Sequence, residues 1–251
     1  MARHGTHHFN YVLRLADSPC ILGQRLTEWT ANAPAIEEDI ALANIALDCF
    51  GQARALYGHA AHLGGRSEDD LAFLRDAPDF RNHLIVEQPN GDFAHTMMRQ
   101  LLYSAFMEPY YEALAASRDE TLAGIAAKAV KEVTYHVRHS AEWVIRLGDG
   151  TEYSHQRAQA ALDELWMYTG EMFERDSLDA AMIAAGIGVD AAALKPRWDE
   201  TLDEILAQAT LTRPADGWMI SGGRTGTHTE HLGHMLSEMQ FLQRAYPGAQ
   251  W

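Results

Sequence analysis

Long stretches of this chain repeat apolar residues every three or four positions, a spacing that is typical of helices. The clearest stretch begins at Ile36 and continues through Ile40, Ala43, Leu47 and Phe50. Side chains at these steps form one continuous stripe on a helix. Glycine and proline interrupt the long periodic segments only sparsely, so the pattern predicts an all-α fold.

The pattern also predicts the approximate limits of the helices. They cover residues 11–31, 35–62, 67–75, 92–116, 117–147, 151–174, 190–210 and 228–244. Pro19 is expected to bend or restart the first helix, since proline lacks the amide that an interior turn needs. Capping boxes are predicted where a Ser or Thr precedes an acidic residue by three positions, at Ser67, Ser117 and Thr227. Residues 76–91 and 212–226 are expected to be irregular.

The four long helices form two pairs, and the connection at residues 76–91 separates the pairs along the chain. This order predicts a ferritin-like four-helix bundle with one long crossover and additional C-terminal helices. Residues 1–10 are interpreted as a variable N-terminal leader, and residues 11–251 as a single domain.

Composition narrows the classes of function. The chain carries 35 acidic and 20 basic residues, a net charge of −15, so it lacks the basic surface that nucleic acids need. No uncharged apolar run is long enough to span a membrane. The two cysteines, Cys20 and Cys49, are too few for a disulfide framework. We therefore expect a cytoplasmic protein that binds neither nucleic acid nor membrane.

The ferritin-like plan raises the question of a metal site. Such bundles often hold two irons with one Glu from each of two helices and a Glu-x-x-His from each of the other two. Here the second long helix offers Asp48, Cys49 and Gln52, and the fourth places Glu132 four residues before His136. Neither contains the motif, so we predict no metal and no cofactor in this chain.

Two histidine patterns leave an alternative open. One Glu-x-x-His occurs at Glu152 and His155, a match that 18 Glu and 13 His produce about once by chance. His228, His231 and His234 recur at steps of three, compatible either with a metal or with packing and partner contact. An autonomous di-metal oxidoreductase would have to draw an unusual ligand set from Glu132, His136, Glu152, His155 and the His228 cluster.

Four segments carry a family resemblance. They are LANIALDCFGQAR (42–54, with Ala41 before it), VEQPNGDFA (86–94), AKAVKEVTYHVRHSAEWVIRLGDGT (127–151) and HTEHLGHMLSEMQFLQRAYPG (228–248). Together they resemble the C-subunit family of multicomponent phenylacetyl-CoA epoxidases, and the likeness covers nearly the whole chain.

The resemblance implies a ferritin-like subunit that is not an enzyme on its own. In that system a catalytic A subunit holds the di-iron centre, and the complex also includes a reductase and one small further subunit. The C subunit keeps the fold and pairs with the A subunit as a structural partner. The positions that correspond to lost metal ligands are Cys49, Gln52, Ser104, Val133 and His136.

The resemblance also implies contact sites. Asp79, Phe80, Arg81 and Asn82 are expected near the coenzyme A part of the substrate or near the partner subunit, although ordinary surface charge also explains Arg81. A possible contact between subunits comprises His228, Glu230, His231, His234 and Glu238. The function implied is a non-catalytic partner that stabilises the A subunit and helps shape the CoA-ester site. A free-standing CoA-ester binding module is a further possibility.

Overall fold

The computed structural model describes the backbone of residues 2–249 and the side chains of residues 7–249. Within this range the chain contains helices and no β-strand, which confirms the all-α prediction. The α-helices are α1 (Ala2–Thr27), α2 (Ile36–Gly64), α3 (Glu68–Phe73), α4 (Leu84–Glu87), α5 (Phe93–Leu114), α6 (Glu120–Gly148), α7 (Glu152–Trp166), α8 (Ser177–Ala184), α9 (Lys195–Gln208), α10 (Glu230–Met239) and α11 (Phe241–Ala245). None of these described helices is both long enough and apolar enough to cross a membrane.

The chain forms two compact units. The first comprises the chain up to Pro89 together with the segment from Gly222 onward, and it contains α1 to α4, α10 and α11. The second comprises Asn90–Ser221 and contains α5 to α9. The single-domain boundary at residues 11–251 stays a prediction, and its last two residues lie outside the described range.

The first unit is built on the antiparallel pair α1 and α2. Near the start of α1, Phe9 lies so close to Gly64, at the end of α2, that a Cβ on Gly64 would come within 2.5 Å of the Phe9 ring. Near the end of α1, Gly23 lies against Phe50 at the middle of α2. Glycine at these two positions lets the helices approach closely.

The buried face of α2 is not the predicted stripe. The side chains that pack inward are Leu42, Ile45, Ala46, Cys49, Gln52, Ala53, Leu56, Tyr57 and Ala60. In contrast, Ile36, Ile40 and Leu47 are 71%, 58% and 66% exposed. Both sets satisfy helical spacing, because α2 is apolar on two opposite sides. The stripe therefore predicted the helix correctly but not the side that faces the core.

In the second unit α5 is the central helix. It packs against α6, α7 and α9, and its side chains from Thr96 to Met107 are all buried. The fully buried Trp198 of α9 donates from Nε1 to the carbonyl of Leu102 at 3.0 Å, and its ring lies 5.6 Å from that of Trp166. These contacts bury part of α5 in the core of the second unit.

Several predicted boundaries are corrected. The helix α1 begins at Ala2 and ends at Thr27, so residues 2–10 of the predicted leader are helical; Met1 lies outside the described range. The same helix continues through Pro19 rather than restarting there. The predicted irregular connection at 76–91 contains α4 and a 3-10 helix, Ala77–Asp79. The segment predicted to continue to residue 174 ends as α7 at Trp166, and α8 was not predicted.

The predicted capping boxes have mixed outcomes. Ser67 and Asp70 form the expected reciprocal pair at the start of α3. Helix α6 is capped instead by Asp119, whose carboxylate accepts from Thr121 and Leu122, and not by Ser117. Helix α10 begins after Thr229, so the box predicted between Thr227 and Glu230 does not form.

Candidate functional site

The residues predicted to replace metal ligands are all buried. In the first unit Cys49 and Gln52 lie on the inner face of α2, 3% and 6% exposed. In the second unit the Ser104 hydroxyl donates to the Gln100 carbonyl at 2.5 Å, while Val133 and His136 are 3% and 2% exposed. A thiol, an amide, a hydroxyl, an alkyl group and one imidazole do not supply the carboxylates that a di-iron pair requires. This donor set does not fit two irons.

The alternative ligand set does not converge within the second unit. His155 donates from Nδ1 to the carbonyl of Gly148 at 2.7 Å, at the C-terminal end of α6. His136 lies twelve residues before Gly148 on α6, which corresponds to about 18 Å at the usual rise per residue. Glu132, whose side chain is 17% exposed, pairs with Lys128 at 3.2 Å. These groups cannot share one metal centre, and His228 belongs to the other unit.

The first unit contains a buried ionic network around Asp17 of α1. Asp17 is fully buried, and Tyr57 donates from Oη to its Oδ1 at 2.7 Å. Arg75 donates to Asp17 Oδ2 at 3.0 Å and also to Oδ1. The backbone amide of Arg81 donates to Asp17 Oδ2 at 2.8 Å. One carboxylate thus joins both long helices to the start of the connection that follows α3.

Burial and the Asp17 charge also determine the chemistry of the neighbouring groups. Removal from water, and then the nearby carboxylate, raise the pKa of the Cys20 thiol to about 12. The same two causes, in the same order, raise the pKa of Tyr57. Since the thiolate is the reactive form of cysteine, Cys20 is protonated and unreactive at neutral pH. Cys20 and Cys49 are both buried and form no disulfide.

A second buried carboxylate, Glu87 at the end of α4, organises the other end of the connection. Its Oε2 accepts from Asn82 Nδ2 and from His228 Nδ1, both at 2.8 Å. Its Oε1 accepts from the backbone amide and the hydroxyl of Thr229, at 2.7 and 2.8 Å. Glu87 therefore provides the anionic cap of α10 that neighbouring residues do not.

The four predicted contact residues at 79–82 lie between these two carboxylates. Phe80 is fully buried beneath the Arg75 guanidinium, whose carbon lies 4.1 Å above its ring, and Asn82 is buried against Glu87. The Asp79 side chain is exposed, and Arg81 is partly exposed, with Nη1 bonded to the carbonyls of Pro78 and Phe80 at 2.6 Å. Contact with a substrate or partner stays a prediction, and of the four residues only Asp79 and Arg81 are accessible for it.

A tight turn supports the loop that carries Arg81. Gly226 adopts a φ of 93°, and a Cβ there would lie 2.3 Å from the Pro78 carbonyl and 2.6 Å from Arg81 Nη1. Any side chain would displace the arginine, so glycine is required both for conformation and for space.

The predicted contact cluster around α10 separates into inner and outer members. His228 is directed inward, because its Nδ1 faces Glu87 and its Nε2 faces the Phe80 carbonyl at 3.0 Å. Both ring nitrogens therefore face acceptor oxygens inside the first unit. His231 is half-buried. Glu230, His234 and Glu238 are exposed, so the predicted contact with another subunit remains open for these outer members.

The sequence reasoning missed the principal charged residues of this region, Asp17, Arg75 and Glu87. The sequence contains one indication for Glu87, because it directly follows the apolar run Leu84-Ile85-Val86 and is therefore expected to be buried with it. Asp17 and Arg75 are 58 positions apart, and nothing local marks them as partners.

Comparison with known proteins agrees with the resemblance carried by the four segments. The family described as phenylacetic acid catabolic protein matches residues 1–251, and its members have a ferritin-like helical fold, in agreement with the prediction. A curated relative from Escherichia coli (strain K12), the C subunit of 1,2-phenylacetyl-CoA epoxidase, is 48% identical over 242 residues, covering 96% of this chain and 98% of the relative. Both comparisons show that the chain belongs to the phenylacetic acid catabolic protein family.

Proposed function

We propose that this chain is the non-catalytic C subunit of a cytoplasmic, multicomponent phenylacetyl-CoA epoxidase. It pairs with the di-iron catalytic A subunit, stabilises it and helps shape the site for the CoA ester. The reductase and the remaining subunit act with it through that complex. The near full-length likeness to the C subunit of an epoxidase is the observation that carries this proposal.

The donor set of the buried positions supports a structural role rather than catalysis. Cys49, Gln52, Ser104 and Val133 offer no anionic oxygen where a di-iron subunit needs carboxylates. The iron of the complex would then be held by the A subunit, and this chain contributes a helical body whose own interior is packed.

The part of the chain proposed to approach the CoA ester is the loop around Arg81. Its Nη1 is held by two carbonyls and the residue is partly exposed, so Nη2 and Nε are the donors that a bound phosphate would meet. Arginine binds phosphate groups through paired N–H donors. A phosphate of coenzyme A is thus the group that Arg81 would contact.

Co-expression tests the proposal directly. Tagged A subunit is produced with and without this chain, and the amount of soluble A subunit, co-purification and epoxide formation from phenylacetyl-CoA are measured. We expect a stable complex, and loss of soluble active A subunit when this chain is omitted. Active, soluble A subunit without this chain would contradict the proposal.

Elemental analysis separates the proposal from an autonomous di-metal oxidoreductase. The proposal expects far less than one iron or manganese per purified chain. Stoichiometric metal that is lost in His136→Ala would favour the alternative. Titration of the isolated chain with phenylacetyl-CoA tests the other alternative, a free-standing CoA-ester binding module. That alternative requires measurable binding without the A subunit.

A further inference from the structure

Helix α2 presents a second apolar face, which no part of the chain covers within the described residues. We define this outer face by Ile36, Ile40, Ala43, Leu47 and Gly51, which follow one another at steps of four, three, four and four. Ile36 is 71%, Ile40 58% and Leu47 66% exposed. These steps keep all five residues on one side of the helix.

The outer face lies opposite the core-facing side of α2, which Leu42, Cys49 and Leu56 occupy. The apolar stripe of a helix normally packs against a neighbouring element. Monomeric proteins rarely expose large contiguous apolar patches, and those that occur are often interaction sites. The outer face extends over about 22 Å of helix, four turns, enough for a partner helix to pack along it.

The shape of the outer face suits an interdigitating helix. Leu47 and Ile40 project outward, while a Cβ added to Gly51 would meet no other atom within 4 Å. Projecting side chains next to an open position form the ridge and groove that helix packing uses. Beside this end of the face, a cavity of about 550 Å³ is lined in part by Phe50, Ala53 and Tyr57. It can accept an apolar anchor from the partner.

The charges at the two ends of the outer face indicate the direction of the partner helix. Glu37, Glu38 and Asp39 form the first turn, whereas Arg54, with a side chain 81% exposed, stands three residues beyond Gly51. Arg54 pairs with Glu68 only at 3.4 Å. An antiparallel helix would bring a basic C-terminal end to the acidic turn and an acidic N-terminal end to Arg54, the charge distribution that helices favour.

We infer that the outer face of α2 is the docking surface for a helix of the catalytic A subunit, antiparallel to α2 and basic at its C-terminal end. This inference rests on the proposed function. A second copy of this chain is the less complementary occupant, because each copy carries a net charge of −15 and the two would repel.

The test measures binding of the full-length chain to tagged A subunit by co-purification and by titration. Leu47→Glu and Ile40→Glu place a charge in the middle of the docking surface, and we expect each to raise Kd by roughly tenfold or more. Since both side chains are already exposed, circular dichroism and Tm should stay close to wild type. Trp218→Glu, at an apolar residue that is 78% exposed elsewhere, is the matched control and should bind normally.

Gly51 provides a second, independent pair of variants. Gly51→Ala and Gly51→Arg both favour the helix, so neither should unfold the chain. Only the arginine fills the open position, and we expect it alone to weaken binding.

The outcomes distinguish the two proposals. If the wild-type chain does not bind the A subunit at all, the proposed function fails. If the wild type binds and Leu47→Glu binds equally well, only the docking surface is wrong. If Leu47→Glu dissociates a homodimer of this chain while binding to the A subunit is unchanged, the occupant is a second copy and the inference is overturned.

Discussion

At the scale of single residues, Asp17 and Arg75 form a buried ion pair. Asp17 is fully buried and the Arg75 side chain is 3% exposed. Such a pair is held by its mutual charge and by hydrogen bonds to the remaining donors and acceptors, here from Tyr57 and Arg81. Removing one partner leaves the other charge uncompensated inside the protein.

Asp17→Asn keeps the shape of the side chain and removes its charge. We expect a loss of about 3–5 kcal/mol in the free energy of unfolding, because Arg75 remains buried without a counter-ion. Urea denaturation measures this loss. Glu112→Gln is the control, since Glu112 pairs with Arg197 on the surface with both side chains at least 41% exposed, and should cost less than about 1 kcal/mol. Equal losses in the two variants would contradict this account.

His83 makes stability depend on pH. Desolvation, together with the positive charges of Arg224 and Arg14, holds the pKa of His83 well below its ordinary value. Its Nδ1 lies 3.2 Å from the Ser18 hydroxyl, and its backbone amide donates to the same oxygen. Below the ordinary pKa of about 6.5 the unfolded chain binds a proton at this residue that the folded chain does not. The stability from His83 is therefore complete above that pH and decreases as the pH falls towards its folded-state pKa.

Replacing His83 by Gln removes this pH dependence. Between about pH 6.5 and the lower folded-state pKa, the wild-type free energy of unfolding should fall up to about 1.4 kcal/mol per pH unit more steeply than that of the variant. Urea denaturation of both proteins at about pH 7.5 and about pH 5.5 gives the difference, which isolates His83 from the other histidines. Parallel pH profiles would rule out the proposed role.

At the scale of elements, α10 begins on a carboxylate from a distant part of the chain. Thr229 precedes α10 and makes no side-chain cap of its own, and its amide and hydroxyl instead donate to Glu87. The helix start is therefore stabilised by a negative charge that is 142 positions away along the chain.

Glu87→Gln should release the start of α10 selectively. A glutamine has one acceptor oxygen, so some of the donors from Asn82, His228 and Thr229 lose their partner, at a cost of about 1–3 kcal/mol or more. Hydrogen exchange of residues 230–239 should accelerate in this variant. Glu230→Gln, at the exposed position for which the sequence predicts a capping box, should leave exchange unchanged. Faster exchange in Glu230→Gln but not in Glu87→Gln would show that the local residue caps α10 instead.

Helix α2 shows the limit of periodicity at this scale. Spacing identifies a helix and groups its residues by side, but it does not distinguish the core side from an interface when both are apolar. The stripe correctly puts Ile40 and Leu47 on a common face. That this face is exposed becomes clear only in the structure, where α1 packs against α2 and leaves this face uncovered.

At the scale of the whole molecule, the acidic composition opposes compaction. A net charge of −15 produces self-repulsion in the folded state, and salt screens it. Between about 0.01 M and about 0.15 M NaCl the Debye length shortens from about 30 Å to about 8 Å. We expect Tm to rise by roughly 2–4 °C over this range. Scanning calorimetry measures the rise, and choline chloride should reproduce it; a falling Tm would contradict the prediction.

The sequence alone determined the helical class and the two long helix pairs, because these depend on local spacing and residue type. Through its resemblance it also indicated the ferritin-like family; that Cys49, Gln52, Ser104 and Val133 stand where metal ligands were lost stays a prediction. Tertiary structure decided that Asp17 binds Arg75, that Glu87 caps α10, that Phe80 and Asn82 turn inward, and that the Ile40 side of α2 remains exposed. Each of these depends on which distant segments meet, and on whether burial removes water from a group, neither of which is encoded in any one stretch of residues.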